Sequence, residues 1–247
     1  MFSLYSCSNG VGCCQFSKIF IKSYPINFLF LLIKVMKQTL IFSGLLISAC
    51  LAIYFKEQDN QWGYFWFKGL ATLLVIGIAG VFDGSMHGFR KTILLGLVFC
   101  LLGDLLLVFD AYFIPGLISF LVAHLIFIYA YYRLNTFLWN ASSLVLIIAI
   151  SASFFWWIHE GLGELIIPVL LYMLVISTMV WQGINAYLVG RNRVTTFLAL
   201  GSVFFLISDA LLAFDKFHQH FAYANMAILT TYWIAVTAIA YASTKTE

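Results

Sequence analysis

Long apolar runs alternate with short polar breaks along most of the chain. A helix rises 1.5 Å per residue, so about twenty apolar residues are needed to cross a hydrocarbon layer of about 30 Å. The pattern predicts eight such spans, at about 38–55, 64–82, 92–109, 113–132, 142–158, 165–188, 194–214 and 221–242. They lack the alternation of barrel strands, and at this length in lipid only helices satisfy every backbone group within one segment. The expected fold class is therefore all-α, a polytopic membrane protein of eight transmembrane helices.

Composition narrows the class further. The 247 residues are 63% hydrophobic and 9% charged, where a soluble domain carries about 25% charged residues. That excludes a soluble globule. The net charge of +3, with no basic stripe, gives no footing for nucleic acid. Of the five cysteines, Cys7, Cys13 and Cys14 lie in the N-terminal tail and Cys50 and Cys100 in apolar runs. None forms a C-x-x-C pair, so no metal or redox motif is implied.

Residues 1–36 stand apart. The apolar run Ile19–Val35 is broken by Lys22, Pro25 and Lys34, which suits neither a spanning helix nor a signal-peptide core. Two expectations follow: an interfacial N-terminal extension, or a start that truly lies at Met36. The membrane domain is then 37–247. Gly80, Gly84 and Gly88 are expected to mark the turn after the second span.

Basic residues set the orientation. Lys18, Lys22, Lys34, Lys37, Arg90, Lys91, Arg133, Arg191, Arg193 and Lys245 fall on the side of the N-terminus; Lys56, Lys68 and Lys216 fall on the other. The positive-inside rule then puts both termini in the cytoplasm.

Two aspartates lie inside the apolar runs, in one shared phrase: Gly103-Asp104-Leu105-Leu106-Leu107-Val108-Phe109-Asp110 and Ser208-Asp209-Ala210-Leu211-Leu212-Ala213-Phe214-Asp215. A carboxylate at the centre of a spanning helix costs about 2.5–3.5 kcal/mol, so such residues are functional candidates. The phrases sit on spans three and seven, which run in the same direction, and suggest a parallel duplication of four plus four spans. Each aspartate is expected about five residues, roughly 8 Å, below the outer end of its helix. Lys68 and Tyr172 fall in the same layer, and His124 is expected deeper. Lys68 can snorkel to the interface or meet a substrate phosphate; Tyr172 and His124 can equally serve packing.

Asp110 and Asp215 are expected in helix-end roles. His159, Glu160, Glu164, His218 and His220 belong to outer loops, and His218-x-His220 is not a helical ligand pair. Asn140-Ala141-Ser142 matches a glycosylation acceptor but falls on the cytoplasmic side. No phosphate-cradling loop, dinucleotide fingerprint or serine-hydrolase elbow occurs. Two close carboxylates out of water do not readily ionise together, so one can hold a proton while its partner is charged. That division suits acid-catalysed hydrolysis through a cation. It requires spans three and seven to be neighbours.

Gly103-Asp104-Leu105-Leu106-Leu107, the run Pro115–His124, Pro168-Val169-Leu170-Leu171-Tyr172, Ser208–Phe214 and Thr231-Tyr232-Trp233 together resemble the YhhN-like membrane family, over about residues 38–242. The resemblance implies a lysoplasmalogenase, a hydrolase of the vinyl-ether bond of lysoplasmenylcholine or lysoplasmenylethanolamine. The products would be a fatty aldehyde and glycerophosphocholine or glycerophosphoethanolamine. It implies Asp104 and Asp209 as catalytic carboxylates, Lys68, His124 and Tyr172 as substrate-lining residues, and no metal or organic cofactor. One departure is Gly69 after Lys68, where the family commonly has proline. The expected partners are a lysophospholipid and the bilayer, in a bacterial inner membrane or, next, the endoplasmic reticulum. The competing functions are a proton-coupled transporter and a non-enzymatic lipid-binding protein. An intramembrane aspartyl protease is disfavoured, because Leu101 stands where its Gly-x-Gly-Asp motif needs glycine.

Overall fold

The computed structural model describes residues 24–81 and 87–244. Cys7, Cys13, Cys14, Lys18, Lys22, Gly84 and Lys245 lie outside the described residues. Eight long helices carry the described chain: α1 (Tyr24–Glu57), α2 (Gln61–Val81), α3 (His87–Leu106), α4 (Phe113–Asn135), α5 (Ala141–Ile158), α6 (Ile166–Gly190), α7 (Arg193–Phe217) and α8 (Ala224–Ala242). Contacts divide the chain at Lys37 and Gln38, and the architecture below concerns the second unit, Gln38–Glu247.

Among the described residues, seven helical stretches are long and apolar enough to cross a membrane. α3 has the length, at 20 residues, but carries Arg90, Lys91 and Asp104. It is packed between α2 and α4. Further packing joins α4 to α6, α6 to α7, α7 to α8, and α8 back to α2. The contacts of α2, α3 and α4 thus recur among α6, α7 and α8. α5 rests on the outside of α6 and α7. Its Leu146, Ile148, Ile150 and Trp156 are exposed, an apolar surface that lipid covers and water would not.

Small residues let the helices close up. A Cβ on Gly96 would fall within 3.0 Å of the Phe127 ring of α4, and one on Gly201 would lie 2.9 Å from the Ala235 carbonyl of α8. Polar side chains fasten other crossings. The Ser119 hydroxyl donates to the Phe99 carbonyl at 2.7 Å. The hydroxyls of Tyr131 and Ser202 lie 3.0 Å apart. Gln182 and Asn185 of α6 both donate to the Leu138 carbonyl and so hold the loop that starts α5. Asn140 caps α5 by accepting from the Ser143 amide, which gives this residue a structural task of its own.

Two sequence expectations need correction. Gly80 lies in the last turn of α2, at the end of the span as expected, whereas Gly88 falls inside α3 and not in the turn. The Arg90 side chain donates to the Ala79 carbonyl at 2.6 Å and also to the Gly80 carbonyl. Two carbonyls in the last turn of α2 thereby gain a side-chain donor.

The second correction concerns the shared aspartate phrase. α3 stops at Leu106, only two residues after Asp104, and the chain turns through Val108 into a 3-10 helix, Asp110–Tyr112. α7 continues through Asp215 to Phe217. Pro115 sits in the first turn of α4, where proline is accommodated. The chain reverses between Leu106 and Phe113, whereas α7 runs on through its copy of the phrase.

Candidate active site

On α2, Tyr64, Lys68 and Thr72 fall four residues apart, so their side chains form one stripe. The stripe meets the last turn of α3. Lys68 Nζ lies 3.4 Å from Asp104 Oδ1. The Thr72 hydroxyl donates to Asp104 Oδ2 at 2.5 Å, and the Tyr232 hydroxyl of α8 donates to the same oxygen at 2.6 Å. Lys68 also stands 5.4 Å from the centre of the Tyr64 ring. Asp104 is 1% exposed. Each of its oxygens faces a partner, as a buried charge requires.

Asp209 sits in mid-helix on α7, surrounded differently. The Tyr172 hydroxyl of α6 donates to its Oδ2 at 2.6 Å. His124 Nε2 of α4 is 3.9 Å from the same oxygen, beyond hydrogen-bonding distance. The His124 ring is fully buried and neither nitrogen has a hydrogen-bond partner. Its edges pack on Tyr172 and Phe205, with ring centres 5.4 and 4.5 Å away. The Asp209 side chain keeps 17% exposure.

Asp209 lines a small, partly open cleft of about 50 Å³. Phe113 and Leu117 of α4, Phe154 of α5, Tyr172 of α6 and Phe217 of α7 line it with Asp209. Asp209 is the one ionisable carboxyl among these walls, and Tyr172 supplies the only other oxygen-bearing side chain. The surface is otherwise apolar.

The five residues singled out from sequence thus fall into two clusters. Lys68 joins Asp104; Tyr172 and His124 join Asp209. No hydrogen bond or ion pair links the two carboxylates among the described residues. Between the clusters lies a run of rings: Tyr232 and Phe205 are 5.6 Å apart, and Phe205 meets His124. The expected greater depth of His124 is corrected by its approach to Asp209. The cause is the length of α7, which places Asp209 itself eight residues before its helix end.

Sequence reasoning missed Tyr64, Thr72 and Phe205, and gave Tyr232 no task. The four-residue stripe on α2 is a signal that reveals the first two. Tyr232 meets Asp104 across 128 residues, and no local pattern carries that contact.

Other polar residues occupy helix ends. Asp110 pairs with Lys216 at 3.2 Å, and Asp215 with His220 at 2.8 Å. The His218 ring packs on Trp157 and Phe214. Among the described residues, no three His, Cys, Asp or Glu side chains gather as a metal site would need.

The human protein named lysoplasmalogenase TMEM86B is 28% identical over 196 residues, covering 78% of this chain and 81% of that protein. The bovine lysoplasmalogenase TMEM86A is 28% identical over 166 residues, covering 65% and 68%. The pig lysoplasmalogenase TMEM86B is 27% identical over 191 residues, covering 74% and 78%. No solved structure matches the chain. The YhhN family model matches residues 63–243, which takes in both carboxylate clusters. With its apolar bundle and this match, the chain is an integral membrane protein that belongs to the YhhN family.

Proposed function

We propose that this protein is a lysoplasmalogenase, which hydrolyses the vinyl-ether bond of alkenyl lysophospholipids to a fatty aldehyde and glycerophosphocholine or glycerophosphoethanolamine. The observation that carries this reading is Asp209 with its Tyr172 partner in the wall of an otherwise apolar cleft. The relatives named as lysoplasmalogenases support it.

In this mechanism the alkenyl tail lies in the cleft and Asp209 enters as the acid. Its proton goes to the β-carbon of the vinyl ether; the carbon–carbon π pair forms the new C–H bond and leaves an oxocarbenium ion. The Asp209 carboxylate then faces that cation. Water adds to the cationic carbon and gives a proton to the Asp209 carboxylate, which restores the acid; the hemiacetal hydroxyl proton then passes to the glycerol oxygen as that carbon–oxygen bond breaks. The Tyr172 hydroxyl, bonded to Oδ2, orients the carboxyl so that Oδ1 carries the chemistry. His124 packs edge-on against Tyr172 and helps hold that hydroxyl on Oδ2. Asp104 serves as the second carboxylate of the site. It acts through Tyr232, Phe205 and His124, as a positioning residue, with its charge balanced by Lys68.

We further infer a four-plus-four duplication with both termini in the cytoplasm. Segments 96–110 and 201–215 share Gly, Val-Phe, Leu, Asp, Leu-Leu and Phe-Asp at the same spacing. The distribution of Lys and Arg supports the orientation. We place the protein in a bacterial inner membrane, with the endoplasmic reticulum as the alternative that mammalian relatives raise.

Three outcomes follow. Purified protein releases free aldehyde from lysoplasmenylcholine and not from an ester lysolipid, and Asp209→Asn lowers kcat by about 10²–10⁴, the usual contribution of a general acid; full activity in that variant rejects Asp209 as the acid. Asp104→Asn strands the buried Lys68 ammonium and lowers stability by about 3–5 kcal/mol, measured by thermal unfolding. Adding Lys68→Met restores the fold but leaves kcat about tenfold low at unchanged KM; wild-type kcat in the double variant reduces Asp104 to a structural role. In intact cells, a membrane-impermeant thiol reagent labels a cysteine placed at Glu160 and not one placed at Trp139; the opposite pattern reverses the orientation.

A further inference from the structure

The proposed substrate carries a phosphate, and the cation expected to meet it from sequence, Lys68, is 5% exposed and engaged with Asp104. Lys56 stands over the Tyr64 ring at the end of α1. Lys216 is placed otherwise. It precedes Phe217, which lines the cleft, and its Nζ lies 5.1 Å from the centre of the ring of Phe113, another lining residue. Its side chain is 44% exposed, and its ionic partner among the described residues, Asp110, is 96% exposed. Phe113 and Phe217 themselves pack with ring centres 6.0 Å apart, so this ammonium sits at the end of the cleft formed by the start of α4 and the end of α7.

The spacing to Asp209 matches the lipid. Lys216 follows Asp209 by two helical turns on the same face of α7, roughly 10 Å along the axis at 1.5 Å per residue. The vinyl β-carbon and the phosphorus of a lysoplasmalogen are separated by seven bonds, roughly 9 Å when extended at ordinary bond lengths. The nearby histidines are otherwise engaged: His220 on Asp215, and the His218 ring against Trp157 and Phe214.

We propose that Lys216 forms a phosphate subsite at the end of the Asp209 cleft, binding the headgroup phosphate of a single-chain phospholipid in exchange for the Asp110 carboxylate. Asp110 holds the ammonium in place while the cleft is empty. An exposed pair of this kind is worth little on its own, so an arriving phosphate displaces the carboxylate readily. The subsite deepens the lysophospholipid reading and rests on it.

The test uses two probes that cannot be hydrolysed, a 1-alkyl lysophosphocholine and the matching 1-alkylglycerol, which lacks the phosphate. Their binding to the purified full chain is measured by calorimetry. Lys216→Ala weakens the phosphate-bearing probe about tenfold, the scale of one charge-assisted hydrogen bond, and leaves the alkylglycerol unchanged. Lys216→Arg keeps most of the affinity, and Asp110→Asn does not weaken it. The subsite is overturned if Lys216→Ala affects both probes equally or neither. It is equally overturned if Asp110→Asn weakens the phosphate probe as much as Lys216→Ala does, since the pair would then be structural. Absence of aldehyde release from a vinyl-ether lysolipid would defeat the proposed activity while leaving this binding pattern intact, so the two failures are distinguishable.

Discussion

A carboxylate withdrawn from water into a helix bundle must be met by donors, or the bundle opens around it. Two such carboxylates organise this one. Asp104 draws Lys68 and Thr72 from α2 and Tyr232 from α8 onto α3. Asp209 draws Tyr172 from α6 and brings α4 close through His124. Six of the eight helices meet around these two acids. Apolar side chains fill the space between helices but do not discriminate strongly among partners when the surroundings are equally apolar.

The two acids are held in the same way but to different degrees. Each is approached from the preceding helix and from a helix outside its own hairpin. Asp104 receives an ammonium and two hydroxyls, and is closed. Asp209 receives one hydroxyl, and an imidazole that stops short of bonding it; a cleft takes the remaining place. The contrast gives the division of labour proposed above, in which a satisfied acid steadies the bundle and an unsatisfied one faces the lipid. The aromatic run Tyr232–Phe205–His124 is the physical route by which the first can hold the second in position.

Much of the helix pattern was legible because lipid imposes a length on every span. The two aspartates were legible because charge is rare in such runs. The early stop of α3 was not: a phrase with the same Asp, Leu-Leu and Phe-Asp positions continues as helix in α7. The match of His124 to Asp209 also escaped depth counting, because a few residues of helix length at each end change the layer. Tyr232 could not be assigned to Asp104 by any local rule. Lys68 illustrates the general difficulty. Its type and depth fitted a phosphate ligand, yet the stripe it shares with Tyr64 and Thr72 turns it inward to a buried partner.

The central claim is that a carboxyl in an apolar cleft protonates carbon. It is tested most directly by running the reaction in heavy water and examining the released aldehyde. The account predicts one deuterium on the carbon next to the aldehyde carbonyl, with a solvent isotope effect above one on kcat. Lysolipid consumed with its vinyl ether intact, or aldehyde formed without deuterium at that carbon, would contradict it.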